Sequence, residues 1–463
     1  MSKSLTKDMT TGSPLRLIMG FSLPLMLGSL FQQFYNMADT IIVSRFVGVG
    51  ALAAVGGTGS LNYLIIGFAV GICSGFSIPL AQAFGARDFS ALRRYTANAV
   101  WLTLGFGAML TAAVLLLTKS ILIWIQTPAD IMDMAYAYIF TIFAGIPATL
   151  LYNMCSAILR ALGDSRRPLY FLIVASALNI VLDLVFIINF GMGVFGAAFA
   201  TVISQAVSGV ISLWYLVTHH AELHWSQEEG RLSTYHCFKL CGMGLPMGLQ
   251  CSITAIGGVM LQAAVNGLGS AIVAAQTAGS RAGMILSVPL ESLGTAMTTY
   301  AGQNQGARKL DRVHIGVNEC LAVSAVYSAA AFIVLHFADK LLIGLFVDAA
   351  QTEIIANAQK YLLWNSAFYL LLGTLIIYRY TLQGLGFSTL AMFAGVAEMV
   401  ARALVGFLFV GSFGYLAACA ASPIAWLFAC IFLIPAYFWA MKKLHAQFDT
   451  EEAARKKAEG AAD

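Results

Sequence analysis

Long apolar stretches alternate with short polar segments along the whole chain. Each of twelve stretches is long enough to cross a hydrocarbon layer of about 30 Å as an α-helix. Only 10% of the residues are charged and 59% are hydrophobic, whereas soluble domains carry about 25% charged residues. The sequence therefore predicts an all-α polytopic membrane protein. Its twelve predicted spans are residues 15–44, 51–82, 95–118, 132–160, 168–189, 193–218, 237–264, 271–300, 315–338, 353–383, 388–410 and 415–441.

Basic residues are concentrated in alternate loops. Because loops rich in Lys and Arg stay on the cytoplasmic side, this asymmetry predicts that both termini are cytoplasmic. The opposite loops hold few basic residues. The basic loop residues are Arg87, Arg93 and Arg94, then Arg160, Arg166 and Arg167, then Arg308, Lys309 and Arg312, and finally Lys442 and Lys443 after the last span.

The chain contains an internal repeat. GARDF follows the second span and GARKL follows the eighth, ALGDS returns as GLGFS, and each pair is separated by about 222 residues. Six spans per repeat is an even number, so both halves enter the membrane in the same orientation. We therefore predict two pseudo-symmetric six-helix lobes around a central cleft. The predicted divisions are an N-lobe at 1–218, a cytoplasmic linker at 219–236, a C-lobe at 237–441 and a charged cytoplasmic tail at 442–463.

Carboxylates occur inside two spans of the first half. Asp39 lies within an apolar stretch that starts at Leu23, and Asp183 lies in the fifth span, four residues after Asn179 on the same helix face. A charge at mid-membrane costs roughly 2.5–3.5 kcal/mol on insertion scales, so a span that keeps one usually uses it. Thr201 in the sixth span adds a hydroxyl. These four side chains form a predicted ion-coupling cluster.

The chemistry of this cluster leaves two ions open. Two carboxylates in a desolvated pocket repel each other, so one of them should bind a proton near neutral pH. With both ionised, the oxygens of Asn179 and Thr201 would instead help to ligate Na⁺. Interhelical hydrogen bonding is the structural alternative for Asn179 and Thr201. Apart from this Na⁺ option we expect no metal site, because the eight cysteines are scattered.

The second half carries a different set of charges. Gly406 stands where the first half has Asp183, and this half instead has Glu291, Glu398 and Arg402 within its spans. Glu398 and Arg402 are four residues apart, which is typical of a structural pair on one helix. Candidates for lining a substrate cleft are Gln33, Tyr35, Asn36, Asn153, Gln250, Thr254, Gln276, Glu291 and Asn365.

Sequence motifs of enzymes are absent. The chain has no HExxH, no GxSxG and no P-loop, which argues against proteolysis and against ATP-driven transport. We therefore expect a non-enzyme without a cofactor that uses an ion gradient. One charge moved across 100 mV is worth about 2.3 kcal/mol.

Several segments together resemble the multidrug and toxic compound extrusion (MATE) family in its bacterial branch. The resemblance rests on LPLMLGSLFQQFYNMADTIIVSRFVGVGALAAVG, AQAFGARDF, LRALGDSRRP and NIVLDLVFIINFGMGVFGAAFAT. It implies twelve helices in two lobes, and efflux of cationic or amphipathic compounds against H⁺ or Na⁺ across a bacterial plasma membrane. The family's N-lobe ion site carries over to Asp39, Asn179, Asp183 and Thr201.

One branch of the family also uses acids on its seventh and tenth spans. In this chain the seventh span has no acid and the tenth has only Glu353 at its first residue, so the resemblance favours H⁺ over Na⁺. The expected partners are small cationic or amphipathic substrates and membrane lipids, with no nucleic acid, and the protein is expected to be a monomer.

A lipid-linked oligosaccharide flippase of the same superfamily is the alternative function. Such a flippase would need a basic cleft for a pyrophosphate group, and commonly has extra spans. Arg402 is a lone basic candidate beside at least two acids, which makes this alternative the weaker interpretation.

Overall fold

The computed structural model describes residues 8–344, 347 and 350–459, and this part of the chain is helical without β-strands. Two five-residue π-helical turns interrupt it, at Val185–Asn189 and Val405–Phe409. The α-helices are α1 (Pro14–Phe46), α2 (Val49–Gly85), α3 (Phe89–Trp124), α4 (Met132–Ala144), α5 (Ile146–Ala161), α6 (Arg166–Leu184), α7 (Gly193–His219), α8 (Thr234–Asn266), α9 (Ser270–Gly306), α10 (Leu310–Ile343), α11 (Thr352–Ala367), α12 (Tyr369–Gly384), α13 (Ser388–Leu404), α14 (Val410–Phe413) and α15 (Tyr415–Glu459).

Nine helical segments in the described residues are long and apolar enough to cross a membrane, and two bent helix pairs raise the number to eleven. The twelfth segment is α9, which covers the predicted eighth span with 37 residues. Buried polar side chains, among them Gln303 and Asn304, make α9 less apolar than the others. The twelve-helix prediction is therefore confirmed as a layout.

Two predicted spans are not single helices. The span predicted at 132–160 consists of α4 and α5, bent by 45°, and the span predicted at 353–383 consists of α11 and α12, bent by 52°. Pro147 at the start of α5 has no backbone N–H to donate and fixes its own φ, so the chain bends just before it. Each of these two predicted spans is therefore a bent pair of helices.

Structural features of the first half return in the second. The third residue of each GAR motif, Arg87 and Arg308, has a positive φ, of 57° and 60°. Positive φ is uncommon for residues other than glycine, so its occurrence at two equivalent positions is informative. The π-helical turns follow α6 and α13 in the same way. The repeat found in the sequence is thus also present in the backbone conformation of the two halves.

The chain divides into two compact units. Unit 1 contains Asp8 and Gly20–Ala255, and unit 2 contains Met9–Met19 and the chain from Ile256 onward. In unit 1, α7 packs against α4, α5 and α6, and α5 also packs against α2. In unit 2, α9 packs against α11 and α12, and α13 packs against α15. The four-part division proposed from the sequence stays a prediction.

Helices α2 and α8 cross within unit 1 at two pairs of glycines. A Cβ atom added at Gly75 would lie 2.5 Å from the Cα of Gly244, and one added at Gly71 would lie 2.8 Å from the Cα of Gly248. Each helix places its two glycines four residues apart, so one face of each is free of side chains. The glycines let the two helix backbones approach so closely that a side chain on any other residue would collide with the neighbouring helix.

The segment between α7 and α8, residues 220–233, is attached to α3. Arg93 donates from Nε and Nη2 to the two carboxylate oxygens of Glu229, both at 2.8 Å. The backbone N–H of Ser226 also donates to Glu229, at 3.1 Å. These donors, the Arg93 guanidinium above all, hold the pKa of the Glu229 carboxyl at about 2, below its usual range.

A second set of contacts fixes the end of the same segment. The side-chain oxygen of Asn98 accepts from the backbone N–H of Ser233 at 2.9 Å. The indole N–H of Trp101 donates to the carbonyl of Gly230 at 3.1 Å. The predicted linker is therefore anchored within unit 1.

Candidate ion-coupling site

Two carboxylates meet inside unit 1. Asp39 on α1 is 9% exposed and Asp183 on α6 is fully buried. Their carboxyl groups lie in hydrogen-bonding contact with each other. Asp183 is the penultimate residue of α6, and the chain enters the Val185–Asn189 π-helical turn directly after it. Such turns are frequent at functional sites because they re-aim neighbouring side chains.

Asn179 connects the acid pair to α7. Its side-chain nitrogen donates to a carboxylate oxygen of Asp183 at 3.0 Å, and its side-chain oxygen accepts from the backbone N–H of Thr201 at 3.2 Å. This orientation gives both ends of the amide a complementary partner. The hydroxyl of Thr201 donates to the carbonyl of Ala197 at 3.1 Å. The structure therefore brings together all four side chains of the predicted cluster.

Two tyrosines complete the surroundings of the acids. The hydroxyl of Tyr35, one helical turn before Asp39, forms a hydrogen bond with the side chain of Thr201. Tyr138 on α4 is buried and lies close enough to Asp39 and Asp183 for electrostatic interaction. Sequence analysis missed Tyr138, because its position about 100 residues from Asp39 gives no local signal. Its place in α4, which packs against α7, brings it to the site.

Each acid keeps one buried oxygen without a hydrogen-bond donor in the described residues, namely Oδ1 of Asp39 and Oδ1 of Asp183. Two touching carboxylates cannot both be charged in a medium of low dielectric constant without a neutralising cation. The arrangement can therefore hold a proton between the two groups, or a small cation beside them.

Unit 2 contains a different ionic network. The guanidinium of Arg379 on α12 donates to Oε1 of Glu398 on α13, and both side chains are buried. Nη2 of Arg402 lies 3.4 Å from the other oxygen of Glu398, one helical turn along α13. Arg402 is therefore not the lone basic residue that the sequence analysis took it to be. Arg379 was overlooked because the residues around it are apolar and its partner lies on another helix.

Glu291 on α9 has a partner that its sequence neighbourhood does not contain. The hydroxyl of Tyr380 on α12 donates to its carboxylate at 2.9 Å. Glu291 also lies near enough to Arg379 for their charges to interact. Unit 2 thus brings together two arginines and two carboxylates. The charged groups described above for the unit 1 site are both carboxylates.

The model of the MatE family matches the chain twice, over residues 24–185 and again over residues 246–408. The two matches together cover well over half of the chain. This protein belongs to the MatE family. The double match also reproduces the internal repeat, at the same spacing of about 222 residues.

Two of the known proteins similar to this MatE chain come from bacteria. It is 30% identical over 373 residues to "Probable multidrug resistance protein YpnP" of Bacillus subtilis, which covers 79% of this chain and 81% of the relative. It is 25% identical over 369 residues to a FAD transporter of Shewanella oneidensis, which covers 78% of this chain and 80% of the relative.

A solved structure has the same fold. The outward-facing conformation of a multidrug resistance MATE family transporter of the MOP superfamily matches with a TM-score of 0.88 at 24% identity, over 96% of this chain and 99% of that one. The all-α, twelve-helix fold expected from the sequence is therefore confirmed as that of MATE transporters.

The cleft-lining candidates of this MatE protein are divided between the units. Unit 1 holds Gln33, Tyr35, Asn36, Asn153, Gln250 and Thr254, and unit 2 holds Gln276, Glu291 and Asn365. Of these, Tyr35 reaches the ion-coupling site, Asn36 is exposed, and Gln276 is buried. The amide groups of Asn153 and Asn365 donate to backbone carbonyls one helical turn earlier. A role for these residues in binding substrate stays a prediction.

Proposed function

We propose that this MatE protein is an ion-coupled antiporter that exports cationic or amphipathic compounds, with H⁺ rather than Na⁺ as the coupling ion. The observation that carries the proposal is the buried contact between Asp39 and Asp183, each with an unpartnered oxygen. A membrane protein that keeps two touching acids in its interior accepts a large cost, which a role in binding a cation explains.

The hydrogen bonds of the Asn179 side chain support H⁺ as the coupling ion. The side-chain oxygen of Asn179 already accepts the backbone N–H of Thr201, and its nitrogen faces Asp183. A Na⁺ ion bound at Asp183 would have to compete with that N–H donor. A proton shared by the two carboxyl groups needs no further oxygen ligand.

The coupling works through the cost of burying charge. While Asp39 and Asp183 carry net charge, a hydrated arrangement of α1 is favoured. Once protonation of both carboxyl groups removes the remaining charge of the pair, α1 can pack closer or bend at Pro24, which displaces a bound organic cation. Substrate and proton then compete through one conformational equilibrium, as linkage requires.

Two observations support lipophilic cations as substrates, namely the acidic character of the ion-coupling site and the name of a similar protein. An acidic site with aromatic neighbours such as Tyr35 and Tyr138 attracts lipophilic cations, and a cation over an aromatic ring gains about 0.5–2 kcal/mol. The multidrug resistance name of the Bacillus subtilis relative supports the same class. We further propose that both termini face the bacterial cytoplasm and that the protein acts as a monomer.

Transport by purified protein in liposomes tests the proposal. Ethidium should be moved when a pH gradient is imposed without Na⁺, and a protonophore should abolish that movement. Transport that follows a Na⁺ gradient at clamped pH and ignores a pH gradient would contradict the choice of H⁺. Movement that responds to neither gradient would contradict antiport altogether.

A further inference from the structure

At the positions that correspond to the unit 1 site, the second half of the chain has a basic residue where the first half has a neutral one, and a glycine where the first half has an acid. The repeat spacing, about 223 residues at this point, places Arg402 where the first half has Asn179 and Gly406 where it has Asp183. Both α6 and α13 run directly into a π-helical turn. The same backbone framework therefore presents carboxylates in unit 1 and a guanidinium in unit 2.

Two arginines share one carboxylate in unit 2. Arg379 takes the close contact with Glu398, and Arg402 reaches the same group only at 3.4 Å. Glu398 is 3% exposed and the side chain of Arg402 is 12% exposed. Since one carboxylate balances one guanidinium, these three side chains carry a net positive charge in a largely desolvated place. Such a charge is costly unless another anion accompanies it.

Hydrogen-bond donors remain for that anion. Nε of Arg379 is buried and has no acceptor among the described residues. Arg402 has one hydrogen-bond acceptor among the described residues, Glu398, although a guanidinium offers five N–H donors in a planar fork. Planar forks of this kind match the oxygens of carboxylate and phosphate groups.

Glu291 is the other charged group close to this site. It is exposed, is held by the hydroxyl of Tyr380, and lies near enough to Arg379 for their charges to interact. When Glu291 is ionised its carboxylate offsets the second guanidinium, so the four side chains together carry no net charge. An incoming oxyanion would take over this role while Glu291 opposes it by charge repulsion.

We propose that Arg379 and Arg402, positioned by Glu398, form an oxyanion-binding site in unit 2 that takes the carboxylate or phosphate of an amphipathic substrate. The assignment of the ligand to transported compounds rests on the proposed function, whereas binding itself does not. Substrates of this protein would then include compounds with an acidic group beside a large apolar part.

Three pyrene compounds with one ring system test the site. Pyrenebutyrate, pyrenebutanol and a pyrenylbutyl trimethylammonium salt share the ring system and a short alkyl chain, and carry an anionic, a neutral and a cationic head group. Binding to purified protein in phosphatidylcholine nanodiscs is followed by pyrene fluorescence. Wild-type protein should bind the acid at least about tenfold more tightly than the alcohol, since charge-assisted bonds to a guanidinium provide that difference.

Two variants have opposite expected effects. Arg402→Gln should weaken binding of the acid about tenfold and leave the alcohol unchanged, while Arg379 still satisfies Glu398. Glu291→Gln should tighten binding of the acid, because it keeps an acceptor for Tyr380 and removes the repelling charge. Arg281→Gln, an exposed arginine on α9, is the matched control and should behave as wild type.

Several outcomes would overturn the proposal. Equal affinity of wild-type protein for the acid and the alcohol would do so, as would an Arg402→Gln variant that loses all three ligands alike. Displacement of the acid by phosphatidylglycerol in the nanodiscs would assign the site to a lipid head group instead of a substrate. The binding assay imposes no ion gradient, so failure of ion coupling and failure of this site are told apart.

Discussion

The carboxyl group of Asp39 on α1 lies against that of Asp183 on α6 in the interior of unit 1. Two negative charges at this distance repel each other, so the contact makes the protonation of one carboxyl group depend on that of the other. Replacing an aspartate by asparagine keeps the shape of the site and removes the ability of that side chain to bind a proton, so such variants test the role of protonation alone.

Asp39→Asn and Asp183→Asn should each reduce ethidium transport driven by a pH gradient to the level of protein-free liposomes. Both changes keep side-chain size and remove the ability to bind a proton. Asp130→Asn, which alters an exposed loop acid, is the control and should transport as wild type does. Full pH-driven transport by the Asp39→Asn, Asp183→Asn double variant would exclude this coupling mechanism.

Glu398→Gln should destabilise the protein strongly and impair coupling less than the two aspartate variants do. The change leaves Arg379 and Arg402 without their shared carboxylate, and removing one partner of a buried pair costs about 3–5 kcal/mol. Thermal unfolding in detergent measures the effect. The control is Glu353→Gln on the exposed surface of α11, which should leave the unfolding temperature unchanged. An unchanged unfolding temperature in Glu398→Gln would refute the structural role of Glu398.

Gly75→Ala should lower the unfolding temperature even though alanine is the better helix former. Its Cβ would lie 2.5 Å from the Cα and 2.8 Å from the backbone N of Gly244, so the two helices must move apart, at a cost of about 1–3 kcal/mol. At Gly105 on α3 a Cβ meets nothing within 4 Å, so Gly105→Ala should be neutral or slightly stabilising. Equal behaviour of the two variants would mean that α2 and α8 tolerate a wider crossing.

Glu229→Gln should release the segment between α7 and α8 at neutral pH. The folded protein depresses the pKa of Glu229 to about 2, from an ordinary value of about 4.3, so its contribution is complete above pH 4.3 and is lost as the pH falls through 2. Hydrogen exchange of the Ser226 amide, normalised for intrinsic rate, reports the release. The exposed neighbour variant Glu228→Gln should keep wild-type protection; protection in Glu229→Gln equal to wild type would show that Arg93 does not hold the segment.

Single cysteines in a cysteine-free background test the orientation of the chain. Gln227→Cys, in the segment anchored to α3, should react with a membrane-impermeant maleimide only after cells are permeabilised, because the proposed orientation places the basic loops in the cytoplasm. Asp130→Cys, between α3 and α4, should react in intact cells. The reverse pattern would place both termini outside.

The sequence by itself determined the span pattern, the duplication and the acid cluster of unit 1. Hydropathy over a span is a local property, and Asn179 and Asp183 share a helix face because of the helical period. Asp39 and Thr201 were grouped with them as further polar side chains inside apolar spans, and the family resemblance supported that grouping. All of this depends on neighbours in sequence or on motifs a few residues long.

Only the tertiary structure decided which distant side chains meet. Arg379 finds Glu398 because α12 packs against α13, and Tyr138 reaches the acid pair because α4 packs against α7. The bend before Pro147 and the glycine crossing of α2 with α8 likewise depend on how helices pack. In a mostly apolar chain many helix faces are equally hydrophobic, so hydropathy cannot select the pairing, and shape complementarity between small residues and a few buried polar contacts selects it instead.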